Sequence, residues 1–151
     1  MKIIKFFGLP LTEKCFFLIN FGMLGLARIL TITFNYRKIS FLYGHFCKMH
    51  VCSILLTEEE KHRAARLSSR LRLASKHTPW RSNCLTKSIV ARFWCAYYRL
   101  PFMFFIGFPK SSKSPLGVKA HAWVMSGPVD VSSGNAFETH VVVQSYSSVT
   151  F

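Results

Sequence analysis

The sequence predicts an α+β fold in which helices come first and a small antiparallel sheet follows. Apolar residues recur at helical spacing up to Pro101 and in short strand-length runs beyond it. Turn-forming pairs such as Gly127 with Pro128 and Gly134 with Asn135 then break the chain at short intervals. At 151 residues the expectation is one domain, long enough to bury roughly 70% of its unfolded surface.

In order, Pro10 and Thr12 followed by Glu13 mark a helix start, and the apolar run Cys15 to Phe34 is its body. Tyr36 to Val51, mixed and rich in His and Lys, reads as a connector. Thr57 with Glu60 forms a capping box, and Glu58, Glu59 and Glu60 set negative charge against the positive end of the helix dipole. Ala64, Leu67, Leu71 and Ala74 follow at helical spacing and define the buried face of that helix, which ends near Ser75. A third helix opens at SNCLTKS, capped by Ser82 or Asn83, and Pro101 stops it. Strands are expected at Phe102 to Phe108, Lys119 to Met125, Val129 to Ser132 and Phe137 to Val143, with a polar loop from Lys110 to Leu116.

The charge balance narrows the chemistry. Lys plus Arg number 20 and Asp plus Glu six, for a net charge of +14. Asp130 is the sole aspartate, and three of the five glutamates are spent in one helical turn. Paired-carboxylate glycosidases, two-aspartate proteases, carboxylate cages for divalent cations and phosphoryl-transfer sites all need several well-placed acids, so they are excluded. The five cysteines are odd in number and irregularly spaced, which points to reduced thiols in a cytosol. The Cys15 to Phe34 run is as long as a membrane span, but Arg28, Asn20 and the small residues Gly22, Gly25 and Ala27 suit a helix, or a helix plus strand, packed on protein. A true span and docking on a membrane surface stay open beside that reading. The expected location is the cytoplasm, with peripheral association at the inner face of the membrane as an alternative. Basic residues are densest from Lys61 to Lys87, yet no nucleic-acid-binding motif accompanies them, so nucleic acid is not an expected partner.

Three residues form a candidate catalytic set. Cys84 falls at a helix start, where unpaired amides and the helix dipole favour the nucleophilic thiolate. His121 falls in the KAHAWVM strand and Asp130 in the strand after it. The order is therefore nucleophile, base, orienting acid, and such a triad is recognised by roles rather than by position. Taken singly, a helical cysteine is more often inert core and a strand histidine more often structural.

The segment PWRSNCL, followed by AHAWV, resembles the leader peptidases of lasso-peptide biosynthesis, the B or B2 maturation proteins of the transglutaminase-like, papain-like group. LGLARIL, the Glu-rich capped helix, FMFFIGF and FETHVVVQSYSS occur in the family's order, so the resemblance covers most of the chain. It implies residues 1–56 as an N-terminal apolar helical segment and connector, and residues 57–151 as a transglutaminase-like cysteine peptidase core. It implies cleavage between leader and core of a lasso precursor peptide, with Cys84 as nucleophile, His121 as base and no cofactor or metal. The freed amine would be joined to a side-chain carboxylate by an ATP-dependent, asparagine-synthetase-like cyclase. The stretch ahead of the core is short and apolar, so leader recognition is expected from a separate winged-helix-like protein. Catalysis-free binding to nucleic acid or a membrane surface, and acyl transfer to an amine by the same Cys and His, are the competing functions.

The departure lies at the acid. Several family members carry it about five residues beyond the glycine that ends the HAW strand, where this chain has Ser132. Asp130 stands two residues earlier, on the same strand face but displaced by about 6.5 Å. Ser132, Asn135 or a backbone carbonyl are the alternative orienting groups. His45, Cys47, His50 and Cys52 offer four zinc-type ligands in one short stretch, which wraps poorly into a tetrahedron and reads as connector. Cys95 is expected in the core, Trp123 as a shield or packing residue, and Trp80 and Arg81 as groove lining, with a structural role the safer reading for Trp80.

Overall fold

The structure, a computed structural model, describes residues 10–47, 54–110, 120–132 and 139–148. It is an α+β fold with a layer of three long helices on one side of a five-stranded antiparallel sheet, the first of them packed on the other two. The N-terminal run is a single helix, α1 (Leu11–Thr33), with no strand within it. A one-turn helix, α2 (Tyr36–Ile39), and a 3₁₀ turn at Ser40–Leu42 lead into the two-residue strand β1 (His45–Phe46). The Thr57 capping box is present with both reciprocal hydrogen bonds, and it opens α3 (Glu58–Ser75). Ala64, Leu67, Leu71 and Ala74 are its buried residues. Asn83 caps α4 (Cys84–Tyr97), its side chain accepting the Thr86 amide at 2.8 Å, while Ser82 instead bonds the Thr78 hydroxyl at 2.9 Å. α4 closes three residues before Leu100 through a left-handed Arg99 (φ 53°), with the Leu100 amide reaching back to the Cys95 carbonyl at 2.8 Å.

The sheet comprises β1, β2 (Met103–Pro109), β3 (His121–Ser126), β4 (Val129–Asp130) and β5 (His140–Ser147), in the order β1-β5-β2-β3-β4. The last strand is thus inserted beside β2 rather than added at an edge. Three sequence expectations are corrected. The connector contributes a strand and two core residues, Ile39 and the fully buried Tyr43, whose ring stacks on Phe104 at 4.5 Å. The last strand runs to Ser147, past the expected stop at Val143, because Ser145 and Ser147 are small enough to sit buried opposite Phe105 and Met103. β4 stops at Asp130 instead of reaching Ser132. Lys119, Phe137, the turn at Ser133 to Asn135, and the loop beyond Lys110 as far as Leu116 lie outside the described residues.

β2 bulges between Ile106 and Gly107 against β5. A Cβ at Gly107 would lie 2.1 Å from the Val141 carbonyl oxygen and 2.9 Å from the Trp123 ring, so only glycine fits. The two sheet faces differ. Phe104, Ile106, Ala122 and Val124 join the main core with Ile89 and Trp94 of α4, while Met103, Phe105 and Trp123 form a smaller cluster on the other face.

α1 is tied to α4 by a buried polar bridge. Asn20 donates to the Phe16 carbonyl at 2.8 Å and accepts from Trp94 Nε1 at 2.9 Å, and it has no exposed surface. Asn20→Ala would strand the indole N–H in the core. The expected cost is about 1–3 kcal/mol, read as a lower urea midpoint at unchanged slope.

Candidate functional site

Cys84 is the first residue of α4 and is partly exposed. The segment before it is held by Thr78, whose hydroxyl lies within 3.1 Å of the Ser75 and Trp80 carbonyls and 2.9 Å from the Ser82 hydroxyl. Trp80 packs its ring on Phe21 at 4.9 Å and against Gly25 of α1, a structural role. Arg81 is exposed.

The helix start opens into a cavity of about 310 Å3 at the end of the sheet. Leu85, Ile106, Phe108, Ala122 and Val143 give it apolar walls, and Cys84, His121 and Gln144 supply its reactive or polar groups. The Gln144 carboxamide oxygen accepts the Tyr146 hydroxyl at 3.5 Å. Cys95, by contrast, is fully buried, and burial pushes its thiol up to about 12, which makes it inert.

The structure brings Cys84 and His121 to one cavity, but no hydrogen bond joins them. Strand alternation explains this. Ala122 and Val124 point at α4, so His121 shares the opposite face with Trp123. Its ring stacks on Trp123 at 6.1 Å and on His140 at 4.8 Å, across Gly107. β4 pairs with Met125 and Ser126, so His121 stands at the end of β3 beyond the β4 pairing, at the rim of the cavity. His140 was not legible as a site residue, because FETHVVV reads as an ordinary strand and only the insertion of β5 beside β2 sets it next to His121.

Asp130 lies opposite Met125, well along β3 from His121. Its Oδ1 accepts the Ser132 amide at 2.9 Å and the Ser132 hydroxyl at 3.4 Å. Ser132 is buried. Its hydroxyl accepts the Val124 amide at 2.8 Å and the Ser88 hydroxyl of α4 at 3.3 Å. Asp130 therefore fixes Ser132 just beyond β4 and reaches His121 through its charge. Burial holds the His121 imidazole below its ordinary range, the Lys87 charge lowers it further, and Asp130 opposes both. Asn135, His50 and Cys52 lie outside the described residues. Cys47 Sγ donates to the His45 carbonyl at 3.3 Å, and the described residues contain no cluster of three or more metal-ligating side chains.

A cysteine at a helix start, facing an antiparallel sheet that carries histidine at its open end, defines the architecture of papain-like cysteine peptidases and acyltransferases. A family model for the Transglutaminase-like superfamily matches residues 33–143, and the chain belongs to that superfamily. Comparison with curated proteins and with solved structures finds no match in either.

The electrostatics at His121 give a titration test. Because its folded value is depressed, the unfolded chain binds more protons across the histidine range, so this group's contribution to stability is present above the unfolded value and falls away as pH drops through that range. Lys87→Met should move the His121 midpoint up and Asp130→Asn should move it down, read from imidazole proton shifts by NMR. Opposite signs would place the two charges wrongly.

Proposed function

We propose that the protein is a cysteine peptidase that removes the leader from a lasso-peptide precursor and frees the core's N-terminal amine for macrolactam formation by a partner cyclase. The observation that carries the reading is Cys84, in the PWRSNCL segment, opening α4 into an apolar cavity shared with His121. Membership of the transglutaminase-like superfamily supports the cysteine chemistry, and the leader-peptidase assignment rests on the PWRSNCL and AHAWV resemblance.

In this reading the Cys84 sulfur attacks the carbonyl between leader and core. His121 takes the thiol proton in that attack and returns it to the departing amine as the C–N bond breaks, and water then hydrolyses the thioester to release the leader acid and the free thiol. The base role asks the His121 ring to leave its stack on Trp123 and His140 and turn to the sulfur. Catalytic hydrogen bonds are commonly long before substrate binds, and they tighten in the complex. The Cys84 backbone amide and the Gln144 carboxamide are assigned to the developing oxyanion in this reading, since both residues line the cavity. A winged-helix-like leader-binding protein and an asparagine-synthetase-like cyclase are the partners. The apolar walls also favour a second reading, acyl transfer to an amine, because they exclude the competing water.

Precursor, leader-binding partner and this protein, incubated together, should release free leader by mass spectrometry, and Cys84→Ala should abolish release. Full-rate cutting by the alanine variant would remove the nucleophile assignment. His121→Ala should cost roughly 10²–10⁴-fold. If His140→Ala abolishes cleavage while His121→Ala does not, the base is His140. Gln144→Ala should lower kcat by about 10²–10³-fold with KM little changed, as for loss of one oxyanion donor. Amine adducts formed at the expense of hydrolysis would select the acyltransferase reading.

A further inference from the structure

The helix α1 is apolar on both sides. Its inner face buries Asn20, Leu24 and Ala27 against the rest of the fold. On the outer side Leu11, Leu18, Ile19, Leu26, Ile29 and Ile32 are each at least half exposed. Positions 11, 15, 18, 22, 26, 29 and 33 recur at steps of three and four, so they form one stripe running the length of the helix, about 35 Å, and no charged residue interrupts it. A contiguous exposed apolar surface of that length marks a binding face rather than ordinary surface.

The surroundings of the stripe are cationic. Lys14 and Arg28 lie on one flank of it, and exposed Arg37 and Lys38 follow directly in α2. The only acid on the helix, Glu13, is ion-paired with Arg70 of α3. Phe34 and Phe41 are exposed at the same end, where aromatic rings suit a boundary between apolar and wet phases. An apolar face rimmed by basic side chains fits a surface that is greasy below and negative above.

We propose that the outer face of α1 docks in the plane of an anionic lipid bilayer, its apolar stripe in the acyl boundary and Arg28, Arg37 and Lys38 at the phosphates. Charge selects this occupant over a second copy of the chain. Pairing two molecules of net charge +14 through a cation-rimmed face opposes association, whereas the same charge is drawn to anionic headgroups. The inner face selects in-plane docking over a span. Crossing the bilayer would strip α1 from α4 and expose the Asn20 to Trp94 hydrogen bond and the Glu13 to Arg70 ion pair to lipid. The inference depends on none of the catalytic assignments.

The test is sedimentation of the full chain with vesicles of phosphatidylcholine alone and of phosphatidylcholine with phosphatidylglycerol. Binding is expected to the anionic vesicles, to weaken as salt rises, and to be equal for wild type and Cys84→Ala. Leu18→Glu and Leu26→Glu, both at exposed positions, should each weaken it roughly tenfold at unchanged melting temperature. Absence of binding to the anionic vesicles overturns the proposal. So does a dimer in analytical ultracentrifugation that either glutamate variant dissociates, and so does retention on the vesicles after an alkaline carbonate wash.

Discussion

The structure is organised around the burial of α4. This helix has the sheet on one side and α1 and α3 on the others, and seven of its residues are buried: Thr86, Ser88, Ile89, Val90, Ala91, Trp94 and Cys95. A helix so enclosed must satisfy every polar side chain from within the protein, because an unpaired buried hydroxyl or indole N–H costs on the order of 1–3 kcal/mol. Three of its buried polar side chains are satisfied in this way. The Trp94 indole takes Asn20 of α1, Thr86 takes its own cap Asn83 and approaches Thr31 of α1, and Ser88 takes Ser132 at the end of β4. The packing order of the domain follows from those partners.

The same constraint shapes the cavity. The face of α4 turned to the sheet and to α1 is covered while Phe93, Ala96 and Tyr97 face outward, and its N-terminus opens into the cavity with Cys84 as the first residue. On the sheet side, the residues that pack α4 are Ala122 and Val124, small or β-branched groups that allow close approach. Alternation then commits His121 and Trp123 to the far face, where the absence of a side chain at Gly107 lets Trp123 and both histidine rings gather. The resting imidazole is thereby stored in an aromatic stack beside the cavity. Asp130 and Ser132 are drawn into the link between α4 and β3, so the acid acts on His121 through its charge while its Oδ1 holds Ser132.

Much of the fold was legible because it is local. The capping box at Thr57, the buried face from Ala64 to Ala74, the cap at Asn83 and the turn at Gly127 and Pro128 are all written within a few residues of where they act. What escaped was non-local. Tyr43 lies in a stretch with no periodicity, and it became core only because β1 pairs with the end of β5. The serines of QSYS look like a loop, yet they fit a strand whose cross-strand neighbours are bulky. His140 became a site neighbour through strand order alone.

The sequence by itself determined the fold class, the three long helices and the chemistry available: one cysteine at a helix start, a histidine in the HAW strand, and too few acids for any mechanism that needs a pair. These depend on short-range periodicity, capping and composition. Only the tertiary structure decided which face His121 occupies, that Asp130 stands opposite Met125, and that one side of α1 is exposed among the described residues. Those outcomes depend on register and on insertion of the last strand beside β2. A shift of one residue in register reverses every side chain of a strand, and no local pattern in the chain encodes that choice.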